Sequence, residues 1–204
     1  MMGGMMKRRE FFRLGAQKTA RAALRLAADR AARRATRRIR PPFALEEPDF
    51  LLACTRCDKC IEACDYDVLF KLPAHHGLQA GGTPVMDLLN RGCHMCQDWP
   101  CVKACEPGAL KLPALDGDAP GPPAKLARAG IDVNVCLPYL GPECGACRDS
   151  CPIPGALEWQ GGIKPVIDEE RCTGCGLCRE ACIVDPKAIE IGALVPGKPT
   201  APYF

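Results

Sequence analysis

All sixteen cysteines of this 204-residue chain fall into four groups of four, and that grouping limits what the chain can fold around. The last group is the most regular: Cys172, Cys175, Cys178 and Cys182 follow C-x2-C-x2-C-x3-C. This is the spacing of cubane iron–sulfur sites, in which three thiolates hold one cluster and the fourth reaches a neighbouring one. Gly174 and Gly176 sit inside it. Glycine takes positive φ readily and lets backbone N–H groups approach the cluster sulfurs. The first group, Cys54, Cys57, Cys60 and Cys64, repeats the spacing. The second, Cys93, Cys96, Cys101 and Cys105, stretches one interval to hold Gln97-Asp98-Trp99-Pro100. The third, Cys136, Cys144, Cys147 and Cys151, does the same with Leu137 to Glu143.

Two other uses of so many cysteines do not fit this pattern. Secreted disulfide scaffolds scatter their cysteines, whereas these are tightly clustered. Zinc ribbons pair two C-x2-C knuckles, commonly with histidines, and do not repeat quartets ending at x3. The expectation is four [4Fe–4S] clusters, with the sixteen cysteines as iron ligands, in a reducing compartment. The rest of the composition agrees. Aromatic residues make up 5% and glycine and proline number 20 each, so the core is modest and needs staples.

The linkers suggest how the quartets pair. After Cys151 come Pro-Ile-Pro-Gly-Ala-Leu-Glu-Trp159, then Gln-Gly-Gly162, then Ile-Lys-Pro-Val-Ile-Asp168: strand, turn, strand. A looser version, Val68 to Leu72, Gly81-Gly82 and Pro84-Val-Met86, joins the first two quartets. Residues 113–124 are rich in Pro and Gly and read as a linker. The expected fold is α+β: two tandem dicluster ferredoxin modules over 43–112 and 125–192, built of small β-hairpins and short helices, with a tail over 193–204. By the crossover rule Cys54, Cys57, Cys60 and Cys105 hold one cluster, and Cys93, Cys96, Cys101 and Cys64 the next. Cys136, Cys144, Cys147 and Cys182 hold the third, and Cys172, Cys175, Cys178 and Cys151 the fourth. A nested pairing, first quartet with fourth and second with third, is the alternative.

The formal net charge of +3 is unevenly distributed. Residues 7–40 hold 13 Lys/Arg against 2 acids, and residues 41–204 hold 14 against 22. Ala20, Leu24, Ala27, Ala31 and Ala35 recur at helical spacing, and Pro41-Pro42 ends the run. This predicts a basic helical arm over 1–42, either simply solvated or docking an acidic protein or an anionic membrane face. With no aromatic stacking platform beside it, nucleic acid is not an expected partner. Arg8-Arg9-Glu10-Phe11-Phe12 matches the start of a twin-arginine export signal, but Lys18, Arg21, Arg25, Asp29 and Arg30 interrupt every apolar run behind it. The motif is therefore read as degenerate, no transmembrane helix is expected, and the expected location is cytoplasmic, either free or peripheral at the inner membrane face.

Other residues carry less. Trp99, inside the second quartet, is expected to cover its cluster and limit water. His94 belongs to that loop, and His75-His76 to the surface. No glycine-rich phosphate loop, flavin fingerprint or spare cysteine nucleophile is present, so no catalytic residue and no small-molecule substrate are expected.

Ile39-Arg-Pro-Pro-Phe43, Asp49 to Cys64, and Cys136-Leu-Pro-Tyr-Leu-Gly-Pro-Glu-Cys144-Gly-Ala-Cys147-Arg-Asp-Ser-Cys151 resemble the NapF kind of ferredoxin-type accessory protein. The second quartet, Cys93 to Cys105, is more similar to NapG and MauM ferredoxins. The resemblance implies a non-enzymatic electron carrier. In the NapF manner it would associate with periplasmic nitrate reductase, its precursor or a similar molybdoenzyme. In the NapG and MauM manner it would relay electrons within a membrane quinol-oxidising complex. A maturation factor for a redox enzyme is a third reading.

Overall fold

The computed structural model describes residues 38–113 and 123–194. Residues 1–37 of the expected arm over 1–42, the middle of the expected linker and most of the C-terminal tail lie outside the described residues. The described stretches belong to one compact unit that starts at Arg38.

Arg40 anchors its beginning. Its guanidinium makes a two-pronged pair with Glu47, at 2.8 and 2.7 Å, and also donates to the Thr83 hydroxyl and the Pro84 carbonyl. The Met86 N–H donates to the Ile39 carbonyl at 2.8 Å. Helix α1, Glu47–Ala53, follows, with Pro48 in its first turn, where the missing N–H costs nothing, and Phe50 fully buried. Arg40 lies 4.5 Å over the Phe50 ring. Two of the cationic residues counted with the arm, Arg38 and Arg40, are thus paired to Glu47 and hold the body together.

Both halves then follow one plan. In the first, the quartet loop leads into α2, Lys59–Glu62, and then into the hairpin of β1, Leu69–Lys71, and β2, Pro84–Met86. The second quartet follows with α3, Pro100–Lys103. A single antiparallel bridge, Ala44 to Leu110, closes this half from outside its two quartets. In the second half β3, Ala127–Ile131, comes first. After it come α4, Leu137–Leu140, the hairpin of β4, Leu157–Gln160, and β5, Lys164–Ile167, then α5, Leu177–Ala181. Strand β6, Ile189–Ala193, returns to pair antiparallel with β3 from Ala127↔Ala193 to Ile131↔Ile189. Among the described residues the fold is α+β: three two-stranded antiparallel sheets and short helices.

Both expected hairpins are present where the glycine turns put them. Two features differ from expectation. The insertion in the third quartet carries a helical turn, α4, with Pro138 in its first turn. The β3–β6 pair, a clasp around the third and fourth quartets, has no counterpart in the sequence reading. One buried core runs through both halves: Phe50, Val68, Leu88 and Leu110 share it with Leu126, Ala127 and Cys175, and Leu177 and Ile191 pack against it.

Candidate metal centres

The quartet loops turn through left-handed backbone at matching positions. In the fourth quartet these are Gly174 and Gly176, φ 71° and 83°. The first quartet uses Arg56 and Asp58, φ 60° and 63°, and the second uses Met95 and Trp99, φ 52° and 49°. Non-glycine residues in this region cost about 1–3 kcal/mol each and persist where the surroundings demand them, typically at ligand clamps. The turn aims N–H groups at sulfur two residues back. The Cys172 sulfur accepts from Gly174 N–H at 3.3 Å, and Cys57, Cys93 and Cys175 accept from the N–H groups of Lys59, Met95 and Leu177.

Short helices hold the third cysteine of three quartets: Cys60 in α2, Cys101 in α3 and Cys178 in α5. Each helix stops before or at the residue preceding the fourth cysteine, so that thiol leaves the loop of its own quartet. The consequence is visible in the cavities. Cys54, Cys57, Cys60 and Cys105 line one (set I). Cys93, Cys96, Cys101 and Cys64 line another (set II), which Trp99, Tyr66 and His94 also wall. Cys172, Cys175, Cys178 and Cys151 line a third (set IV). Cys136 has Cys147, Cys182 and Cys144 as its electrostatic neighbours, which defines set III. The structure thus brings the sixteen sequence-predicted residues together in the four crossed sets, and Cys60 and Cys105 share one.

These donor sets fit a polynuclear iron group. All sixteen thiols are free. A single tetrahedral zinc needs its thiolates converging on one point about 2.3 Å away. Among the described residues no group of three or more His, Cys, Asp or Glu is placed to hold one ion; the thiols surround a volume instead. Their chemistry is graded by burial. Burial pushes the Cys60 and Cys136 thiols up to about 11 and those of Cys93 and Cys101 to about 12, with neighbouring thiols adding to the effect. Burial raises Cys178 further still. Cys57 is the opposite case: exposed, and held below the ordinary thiol range by hydrogen bonds, foremost the Lys59 N–H. Iron bound to the raised thiols would replace their protons, so cluster binding there would be coupled to proton release.

Around the sets, Trp99 meets Phe43 edge-on at 4.9 Å and is one wall of the set II cavity. His94 stacks flat on Tyr66, centroids 3.5 Å apart, a contact that leaves no signal in the residue spacing. His75 and His76 are exposed and lie on each other. Across the two halves the Cys93 N–H donates to the Cys175 carbonyl at 2.7 Å. Beside it the Gly92 N–H donates to Glu180, and Arg179 donates to the Leu89 carbonyl, both at 2.8 Å. Gly92 is required by that approach: a Cβ there would come within 2.6 Å of the Leu177 side chain and 2.8 Å of its Cα. Among the described residues no helix is long and apolar enough to cross a membrane.

Comparison with known proteins agrees with this chemistry. The 4Fe-4S dicluster domain family matches residues 142–185. The methylamine utilization ferredoxin-type protein MauM of Methylobacillus flagellatus is 38% identical over 165 residues, 75% of this chain and 67% of that protein. The ferredoxin-type protein NapG of Escherichia coli is 36% identical over 171 residues, 76% and 70% of the two chains. The ferredoxin-type protein NapF of Escherichia coli is 34% identical over 165 residues, 74% and 84%. No solved structure matches.

Proposed function

The chain belongs to the NapF/NapG/MauM family of ferredoxin-type proteins, and on that footing we propose that it is an electron carrier with four [4Fe–4S] clusters, held by the sixteen cysteines in sets I to IV. The observation that carries this is the crossed grouping: each set takes three thiols from one quartet and one from another. Bound clusters of this kind supply one-electron transfer at potentials set by their surroundings. The chain's own residues provide those surroundings. The N–H donors two residues after Cys57, Cys93, Cys172 and Cys175 place positive dipoles on sulfur. Trp99 keeps water from set II, and no residue is assigned a bond-making role. Anaerobically purified holoprotein should contain about 16 irons and show reducible cubane spectra. About 8 irons, with one half of the chain empty, would overturn the four-cluster reading.

The partner is a redox protein. The NapF-like first and third quartets favour a molybdoenzyme such as nitrate reductase, or its precursor, met on the cytoplasmic side. The higher identity to the NapG and MauM relatives favours the second reading, a relay subunit of a membrane quinol-oxidising system. In both, residues 1–37 provide the docking arm, and the body begins at Arg38 because Arg38 and Arg40 are tied to Glu47. Deleting residues 1–37 should abolish partner pull-down and leave the iron content unchanged; retained pull-down would remove the arm from the interface. Fractionation of the tagged chain decides between the two locations.

A further inference from the structure

The contacts between the ligand sets do not simply follow the order of the quartets along the chain. In the first half, Cys60 of set I and Cys101 of set II are electrostatic neighbours within one buried cluster. In the second half, Cys147 of set III and Cys178 of set IV pack together with Ile189. Both junctions bring together the third cysteines of their quartets. The crossing between halves is different. It joins Cys93 of set II to Cys175 of set IV through a 2.7 Å backbone hydrogen bond, flanked by Gly92 on Glu180 and Arg179 on Leu89. The two thiols feel each other electrostatically and share the core with Cys101.

We propose that the ligand sets form a relay in the order I, II, IV, III, with the crossing at Cys93 and Cys175. The proposal rests on the four-cluster reading above. Sets II and III, consecutive along the chain, are then not neighbours along the relay. Its ends are set I, whose Cys57 is the exposed thiol of the sixteen, and set III. One redox protein delivers an electron at one end, and a second removes one at the other, so the chain itself undergoes no net change.

Oxidised [4Fe–4S] clusters are diamagnetic. Exchanging the second cysteine of a set for aspartate favours a three-iron cluster that is paramagnetic when oxidised, which labels single sets. The double variant Cys96→Asp/Cys175→Asp should show spin–spin broadening that is absent from either single variant. Cys96→Asp/Cys144→Asp should give the sum of its two singles. Broadening in the second double variant and not in the first overturns the order. Should a variant fail to hold clusters, iron anomalous scattering from crystals of the unaltered holoprotein gives the answer directly. The closest pair across the halves must then be the clusters on Cys93 and Cys175, and a closer pair on sets II and III overturns the proposal. An iron count short of four clusters overturns the underlying reading, whereas four clusters in chain order overturn only the relay.

Discussion

Gly174 and Met95 make the same left-handed turn at the same place in their quartets, yet only one of them tolerates a side chain. A Cβ on Gly174 would collide with the Ala127 carbonyl at the start of β3. Gly174→Ala therefore adds a backbone clash to the strain of φ 71° and should cost about 3 kcal/mol or more, with iron lost from set IV. Met95→Ala adds no backbone clash and removes only partly buried packing, so it should cost about 2 kcal/mol or less. Anaerobic melts and iron counts on the two variants separate the cases. The buried thiols make a pH prediction. Burial raises Cys60, Cys93, Cys101 and Cys136 from the ordinary 9 to about 11 or 12, so in an iron-free folded chain they stay protonated. A raised value stabilises the fold fully below pH about 9 and loses that contribution as pH climbs through 11 to 12. The urea midpoint of the iron-free chain should fall over that window, while the loaded chain, with its thiolates already deprotonated by iron, moves much less.

At the scale of elements, what the sequence made legible was local and what it hid was long-range. The β4–β5 hairpin could be read because Gly161-Gly162 sits between two apolar runs, and the quartets because their spacing is itself the signal. The crossed grouping followed from the x3 step, since the short helices end where the fourth cysteine begins. Strand β3, Ala-Arg-Ala-Gly-Ile, lacks the β-branched alternation that marks a strand, and its partner lies beyond two quartets. It is a strand because β6 pairs with it. The seam was hidden for a related reason: Gly92 looks like one more loop glycine until Leu177 is placed against it. Gly92→Ala should force α5 away from the loop that holds Cys93. The overpacking costs about 1–3 kcal/mol, which lowers the melting temperature by roughly 2–4 °C per kcal/mol in a chain of this size. Calorimetry on the holoprotein checks it, and an unchanged melting point would show that the two halves are not held at this seam.

At the scale of the molecule, the two halves follow one plan but are not self-sufficient. Ala124, the last residue of the expected linker, and Leu126 and Ala127, just past it, are buried in the same core as Phe50 and Leu110. Residues 38–113 made alone should expose that apolar face and aggregate. Co-expressed with 123–194 they should recover as a one-to-one complex, read by light scattering, and stable monomeric fragments would contradict this. The shared core also bears on ancestry. A repeat of quartet, hairpin and quartet within one chain is what a doubled gene would leave behind. Once Gly92 had closed on Leu177, neither copy could be lost, swapped or moved without uncovering the other. Two copies of a two-quartet ancestor would in that way have become a single inherited unit, free to diverge at its ends and constrained at its middle.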